Sequence, residues 1–389
     1  KSQNKNNNFS YFKEIKDQKE IFEIRKAGLN ILMSMKGDKK PVAFIEDCAV
    51  TLDHLSEYTT KLKEIFKKYD TSGMFYAHAS VGTLHVRPVL NMKSDKDINN
   101  MKKIAEEAFE MVKQYKGSHS GEHGDGIVRS EFHEKMFGKK IINAFEDVKD
   151  TFDHKNLLNP NKIVRPYKSN DRSLMRYKAD YKTEKISTHY DWSEWGQFSD
   201  AVEMCNNNGA CRKLDSGVMC PSYRVTKEEK DLVRGRANTL RLALSNQLPK
   251  GSFVSKEMYE SMELCVSCKA CQRECPMSVD IAKMKSEFLS HYYKKFNMRI
   301  KDKIICSMPK NIRFLKIIAP IFNKIKNFPI IESIINWYGF ATQREMPVVQ
   351  NQSELKVIYK SQSKSDKKVI LFACLLYTSD AADEEAWVG

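Results

Sequence analysis

Seven of the chain's ten cysteines lie between Cys205 and Cys275. Cys265, Cys268, Cys271 and Cys275, the last followed by Pro276, spell C-x2-C-x2-C-x3-C-P. In such a run three thiolates wrap one face of an iron-sulfur cluster and the fourth reaches a second cluster. A zinc site would want two cysteine pairs far apart, so the spacing points to iron and sulfide. Upstream, Cys205, Cys211 and Cys220-Pro221 form a second set. Asn208 stands where its middle cysteine would be, and an amide is a poor iron ligand beside thiolate. Exchange of the fourth cysteines assigns every thiol. Cys265, Cys268, Cys271 and Cys220 would hold one 4Fe-4S cluster. Cys205, Cys211 and Cys275 would hold a second, either 3Fe-4S or 4Fe-4S with a ligand that is not cysteine. Interlocked ligands keep two clusters close, as an electron relay requires. Arg234 and Arg236 read either as offsetting cluster charge or as solvated helix residues, and Cys48, Cys306 and Cys374 as ordinary buried thiols.

A second constellation is built of histidine and carboxylate. FYAHASVGTLHVRPVL, residues 75–90, reads as two strands around a turn at 80–83. That register pairs Ala79 with Leu84 and sets His78 opposite His85. Cross-strand partners have Cβ atoms about 4.5–5.5 Å apart, which lets two imidazoles share one divalent metal, although histidines so spaced also occur as packing residues. In SGEHGDGIVR, residues 120–129, Gly121, Gly124 and Gly126 let the backbone bring Glu122 and His123 up to a ligand. Two histidines and a carboxylate leave coordination positions open, as substrate-binding sites do, and zinc, manganese or iron accepts them. His123, beside that set, suits a general base. A phosphate-cradling reading fails because the loop carries an acidic residue where Lys-Ser/Thr is needed.

These residues need a scaffold. The 389 residues, 41% hydrophobic, suffice for two or three cored units. Residues 1–166 form an α+β first domain, an antiparallel sheet with helices. Within it Ile98, Met101, Ile104, Ala108, Phe109 and Val112 mark an amphipathic helix over 97–115 that stops at Gly117. Residues 167–199 are a polar, aromatic-dotted linker. Residues 200–300 form a mainly α-helical, two-cluster ferredoxin-like domain, in which Thr226 and Glu229 spell a capping box opening a helix toward Gln247, and another helix follows Pro276. Residues 301–366 are a basic helical region. Ten Lys/Arg against one acidic residue between Lys294 and Lys326 make it a solvated surface or a membrane-surface element. At 367–373, KKVILFA begins a truncated further domain, and 374–389 read as an unrelated tail.

With 30% charged residues, no apolar run nears the roughly 18–20 residues of a membrane span, and no secretory segment opens the chain. A start at Lys1 suggests a piece of a longer protein. Clustered thiols imply a reducing, cytoplasmic setting. The net charge of +15 favours anionic partners. Nucleic acid is not expected, because no basic patch with interleaved aromatics lies near the cysteines. The oligomeric state is not legible.

YAHASVGTLHVRP, SGEHGDGIVR and LLNPNKIV resemble the C-terminal domain of FAD-linked oxidases of D-2-hydroxy acids. CNNNGACRK, GVMCPSY, RGRANTLR and LCVSCKACQRECPMSVDIAKMK resemble the iron-sulfur part fused to it in flavin/iron-sulfur D-lactate and D-2-hydroxyglutarate dehydrogenases. The C-x5-C spacing is also similar to the three-iron site of succinate dehydrogenase. The resemblance covers about residues 20–345 and implies a divalent metal on His78, His85 and Glu122, with His123 as base. It implies FAD held mostly by an N-terminal domain outside these residues, and a quinone or cytochrome acceptor reached through the clusters. Peripheral contact with the inner membrane fits such an acceptor. Arg87 shares a strand face with His85 and would pair with the substrate carboxylate. Asn207, Asn161 and His154 stand where the family pattern has Gly, Gly and Pro.

Overall fold

The apolar periodicity of residues 52–68 and 95–114 requires two helices with one buried face each, and these cover the sheet that carries the histidines. The computed structural model describes residues 12–308, 310–341 and 343. One unit extends through Phe296 and a second begins at Asn297.

In the first unit the order is α1 (Ile15–Met33), β1 (Lys39–Pro41), β2 (Cys48–Ala49), α2 (Leu52–Lys68), β3 (Gly73–His78), β4 (Thr83–Asn91), α3 (Asp95–Gln114), α4 (Gly126–Ser130), α5 (His133–Phe137) and α6 (Lys139–Phe152). β4 is the organising strand and pairs antiparallel with β1, β2 and β3. Tyr58, Leu62 and Phe66 of α2 and Ile104, Ala108, Phe109 and Val112 of α3 bury against Phe44, Ile45, Val86 and Leu90. Each such aliphatic or aromatic side chain contributes about 1.5–3 kcal/mol relative to an exposed one. The helix expected over 97–115 is α3, begun two residues earlier.

The hairpin differs from its sequence reading. His78 lies opposite Thr83, Ala77 opposite Leu84, and Tyr76 opposite His85, so the four-residue loop is 79–82, one residue earlier than expected. Gly82 causes the shift. It adopts φ 71°, ψ 10°, the left-handed conformation that closes a loop just before the next strand. Its carbonyl accepts the Val50 N–H at 3.1 Å, and a Cβ there would collide with the Val50 carbonyl. His78 and His85 therefore become diagonal neighbours on one face, with ring centroids 5.1 Å apart.

The half that carries the clustered cysteines has its own core. It contains α7 (Phe198–Glu203), α8 (Pro221–Thr226), α9 (Val233–Leu244), α10 (Lys256–Glu263), α11 (Ala270–Glu274) and α12 (Ile281–Lys295), packed through Val202, Leu232, Leu240, Leu244, Met262 and Phe288. The segment expected to be linker contributes to this core. Trp192 is buried and donates its indole N–H to Glu287 Oε2 at 3.1 Å, and Glu287 also accepts the amides of His189 and Tyr190. The expected capping box does not form. Thr226 ends α8, the chain turns through Lys227 at φ 60°, and the Thr226 hydroxyl donates to Asp231 Oδ2 at 2.8 Å, so α9 starts only at Val233. Asn161 and Asn207, where glycine was expected, both take positive φ, which asparagine tolerates.

Lys93, at the end of the sheet, reaches Asp38 at 2.7 Å and Glu203 of α7 at 2.8 Å, tying the two halves of this unit. Burial opposes its charge, but the carboxylates of Glu203 and Asp38 outweigh burial and hold the ammonium above its ordinary range.

The second unit contains α13 (Ile300–Ser307), α14 (Ile312–Ile325) and α15 (Pro329–Trp337). Cys306, expected to be buried, is exposed, because α13 buries none of its side chains. Among the described residues no helix is long and apolar enough to cross a membrane. Residues 344–366 of the basic region, the strand at 367–373 and Cys374 lie outside the described residues.

Glu131 fastens the start of the 167–199 segment to α3. Burial pushes its carboxyl up, but Lys102 at 2.6 Å and the amide and hydroxyl of Ser169 bring it down to about 2. A folded-state value below the unfolded 4.5 gives stability that is present above pH 4.5 and lost as pH falls toward 2. Denaturant titrations should find Glu131→Gln less stable than the parent at pH 7, with the gap closing on acidification.

Candidate functional site

Three imidazoles converge on one carboxylate oxygen. Glu122 Oε1 lies 3.1 Å from His85 Nε2, 3.4 Å from His78 Nε2 and 3.5 Å from His123 Nε2. Donor atoms about 2.0–2.1 Å from a tetrahedral ion stand roughly 3.4 Å from one another, so these separations suit ligands of a shared metal. His85 is buried on the floor, whereas His78, Glu122 and His123 are exposed around the mouth. The centre is thus open to a small molecule on one side.

The protonation pattern is set from behind. His85 Nδ1 is 2.9 Å from the Glu46 carbonyl, which can only accept, so Nδ1 carries the proton and Nε2 presents its lone pair to the centre. His123 Nδ1 lies 3.1 Å from Glu46 Oε1, which orients the ring in the same sense. The His85 and His123 rings stack at 4.9 Å and 15°.

Sequence reasoning missed Glu46 and Asp47. Asp47 is fully buried; its Oδ2 accepts the amides of Glu122 at 2.9 Å and His123 at 2.7 Å, and its carbonyl accepts the Gly121 amide at 2.7 Å. Burial alone would raise its carboxyl. The two amides, His123 and Arg129 more than reverse this and leave it below the usual range. The signal in the sequence was an acidic pair inside the apolar run PVAFIEDCAV. Arg87, the residue expected at the substrate carboxylate, has its Nη2 2.5 Å from Glu46 Oε2, and its buried Nε has no hydrogen-bond partner among the described residues.

The thiols gather as two groups. Cys220, Cys265, Cys268 and Cys271 line one cavity with Val233 and Ile281. Cys205 and Cys211 are each close enough to Cys275 for its charge to act on them. Cys220 feels both Cys211 and Cys271, so the two groups are neighbours. Burial pushes the Cys220 thiol up to about 12 and Cys271 to about 11, which leaves them protonated unless a metal displaces the proton. Opposing burial are main-chain amides: Val233 acts on Cys220, Arg234 on Cys211, and Ile281 and Ala282 on Cys271. These amides open α9 and α12, where the positive ends of the helix dipoles favour anions. Arg236 is 1% exposed and held by Ser261, Asp231 and Ser222, so it is not a solvated helix arginine. Arg234 forks onto Glu229 at 2.5 and 2.9 Å. Asn208 is committed to its own turn, donating to Asn206 Oδ1 and accepting the Ala210 amide.

Residues 2–163 match the family described as FAD linked oxidases, C-terminal domain, and residues 201–279 match the 4Fe-4S dicluster domain. The protein therefore joins an FAD-linked oxidase C-terminal domain to an iron-sulfur domain of the two-cluster type. It is similar to the D-2-hydroxyglutarate dehydrogenase of Escherichia coli (strain K12), at 28% identity over 83% of this chain and 35% of that protein. The D-2-hydroxyglutarate dehydrogenase of Pseudomonas putida is 29% identical over 78% of this chain and 33% of its own length. The D-lactate dehydrogenase of Archaeoglobus fulgidus is 29% identical over 39% of this chain and 32% of its own. The chain spans about a third of the length of the first two relatives.

The grouping of the thiols distinguishes Cys220 from Cys275. Electron paramagnetic resonance of Cys220→Ala should lose the signal of the cluster served by Cys265, Cys268 and Cys271, and Cys275→Ala that of the cluster served by Cys205 and Cys211. Loss of the same signal in both variants would refute the exchange.

Proposed function

We propose that this chain is the substrate-handling and electron-relay portion of a flavin- and iron-sulfur-dependent dehydrogenase that oxidises a D-2-hydroxy acid, D-2-hydroxyglutarate or D-lactate, to the 2-oxo acid. The observation that carries the reading is that the Nε2 atoms of His78, His85 and His123 each lie 3.1–3.5 Å from one Glu122 oxygen, with Asp47, His85, Glu122 and His123 the set whose donor atoms all fall within 4.8 Å of one another. When bound, a divalent zinc, manganese or iron ion would polarise the substrate hydroxyl, FAD would accept the hydride, and the clusters would carry single electrons onward. His78, His85 and Glu122 are the ligands in this reading.

His123 removes the hydroxyl proton. Its Nδ1 faces Glu46, so Nε2 is the atom left to accept that proton, and the Glu46 carboxylate stabilises the imidazolium that results. Arg87 neutralises Glu46 through Nη2, and its guanidinium is the group assigned to the substrate carboxylate. Cys265, Cys268, Cys271 and Cys220 hold one 4Fe-4S cluster; Cys205, Cys211 and Cys275 hold the second, of 3Fe-4S or 4Fe-4S type. Electrons leave to a quinone or cytochrome. The exposed Ile317 and Ile321 in the basic helix α14 support peripheral contact of this cytoplasmic protein with the inner membrane.

The test is turnover in the flavin-complete enzyme. Hydroxy acid should bleach the cluster absorbance anaerobically, and His123→Ala should lower kcat about 10²–10⁴-fold with iron and sulfide contents unchanged. Unchanged turnover would mean that the chain is a noncatalytic electron-transfer subunit docked on a flavoprotein.

A further inference from the structure

A second cluster of ligating side chains lies just beyond the glycine-rich loop and takes no part in the chemistry above. His119, in the segment entering that loop, Asp125, at its far end, and His133, the first residue of α5, bring one donor atom each within 4.8 Å of the others. His133 Nε2 is 3.1 Å from Asp125 Oδ2, and His119 Nε2 is 3.4 Å from Asp125 Oδ1. Both imidazoles are essentially sealed from solvent, at 1% and 2% exposure, within a wall that includes Phe109 and Phe137.

Their hydrogen bonding is the unusual feature. All four ring nitrogens, and Asp125 Oδ1, are buried with no hydrogen-bond partner among the described residues. The nitrogens approach the carboxylate closely, yet not along directions in which an N–H could donate. A satisfied pair of core histidines would donate to the aspartate or to the backbone. Two imidazole nitrogens 3.1 and 3.4 Å from one carboxylate, close to the roughly 3.4 Å between ligands of a tetrahedral ion, with all three donors within 4.8 Å of one another, suit a shared cation.

We propose that His119, Asp125 and His133 form a second divalent metal site, distinct from the centre at His78, His85 and Glu122, and suited to an ion of the zinc type. Two imidazoles and one carboxylate provide three ligands, and the partly exposed Asp125 marks the path of entry and the position left for water. The ion would clip the loop carrying Glu122 and His123 to α5, so its role is positional.

Cobalt(II) titration of the cluster-loaded full chain tests this, read by visible absorption and metal analysis. The parent should take up two equivalents, Glu122→Gln one, and Glu122→Gln combined with His133→Leu none. Should His133→Leu fail to fold, Asp125→Asn, at a partly exposed position, replaces it. Cobalt should also slow proteolysis within residues 119–133 in Glu122→Gln but not in the double variant. Equal cobalt uptake with and without His133, or a thiolate-to-cobalt charge-transfer band showing that the metal sits on cysteine, would each overturn the proposal.

Discussion

Three consecutive amides, those of Gly121, Glu122 and His123, end on a single buried residue, Asp47. Neither Glu122 nor His123 belongs to a helix or strand, so no repeating hydrogen-bond ladder fixes either side chain. The Asp47 carboxylate does that instead, through charge-assisted bonds of about 1.5–3 kcal/mol each. A carboxylate removed from water needs such donors, and the loop needs an acceptor; each satisfies the other. Gly121 is part of the bargain in space, since a Cβ there would press within 3.2–3.4 Å of Asp47 and Thr83.

Glu46 performs the complementary task one residue earlier. Its carbonyl fixes the His85 tautomer and its carboxylate faces His123, so one dipeptide orients both imidazoles and the loop between them. Arg87 completes the set on the far side of Glu46. The cluster of imidazoles is thus built from behind by buried acids. Tying the imidazoles and their carboxylate partners to β4 gives the precision that loop residues alone lack.

How much of this could be read from the sequence follows from the range of the forces involved. The cysteine run was legible because ligand spacing along a few residues is local geometry. The helix over α3 was legible for the same reason, through its periodic apolar face. His78, His85, Glu122 and His123 were recognisable as a set, yet the hairpin register was misplaced by one residue on each strand, because the deciding contact is between Gly82 and Val50, some thirty positions away. Glu46 and Asp47 were invisible for a related reason: an acidic pair in an apolar run has meaning only once its partners are known. Trp192 was assigned to a linker because its partner, Glu287, lies far along the chain. Thr226 had the spacing of a cap, but Asp231 competed for its hydroxyl and won.

The electrostatics of the thiols follow from the same competition between burial and local donors. Burial of Cys220 and Cys271 makes their ionisation costly, which protects the free thiols but opposes ligation. Amides at the starts of α9 and α12, together with Arg236 near Cys220, reduce that cost without adding a mobile counter-ion. Because those amides belong to helices packed into the core through Leu240, Leu244 and Phe288, their positions are fixed by that packing. Lys93 then carries the rigidity across to the sheet, since its ammonium is shared between Asp38 before the sheet and Glu203 of α7. A half-buried cation held by carboxylates from both sides resists separation, because parting them would leave a charge in low dielectric without its partners. The sheet that bears the histidines and the helix that leads into Cys205 therefore hold a fixed relation.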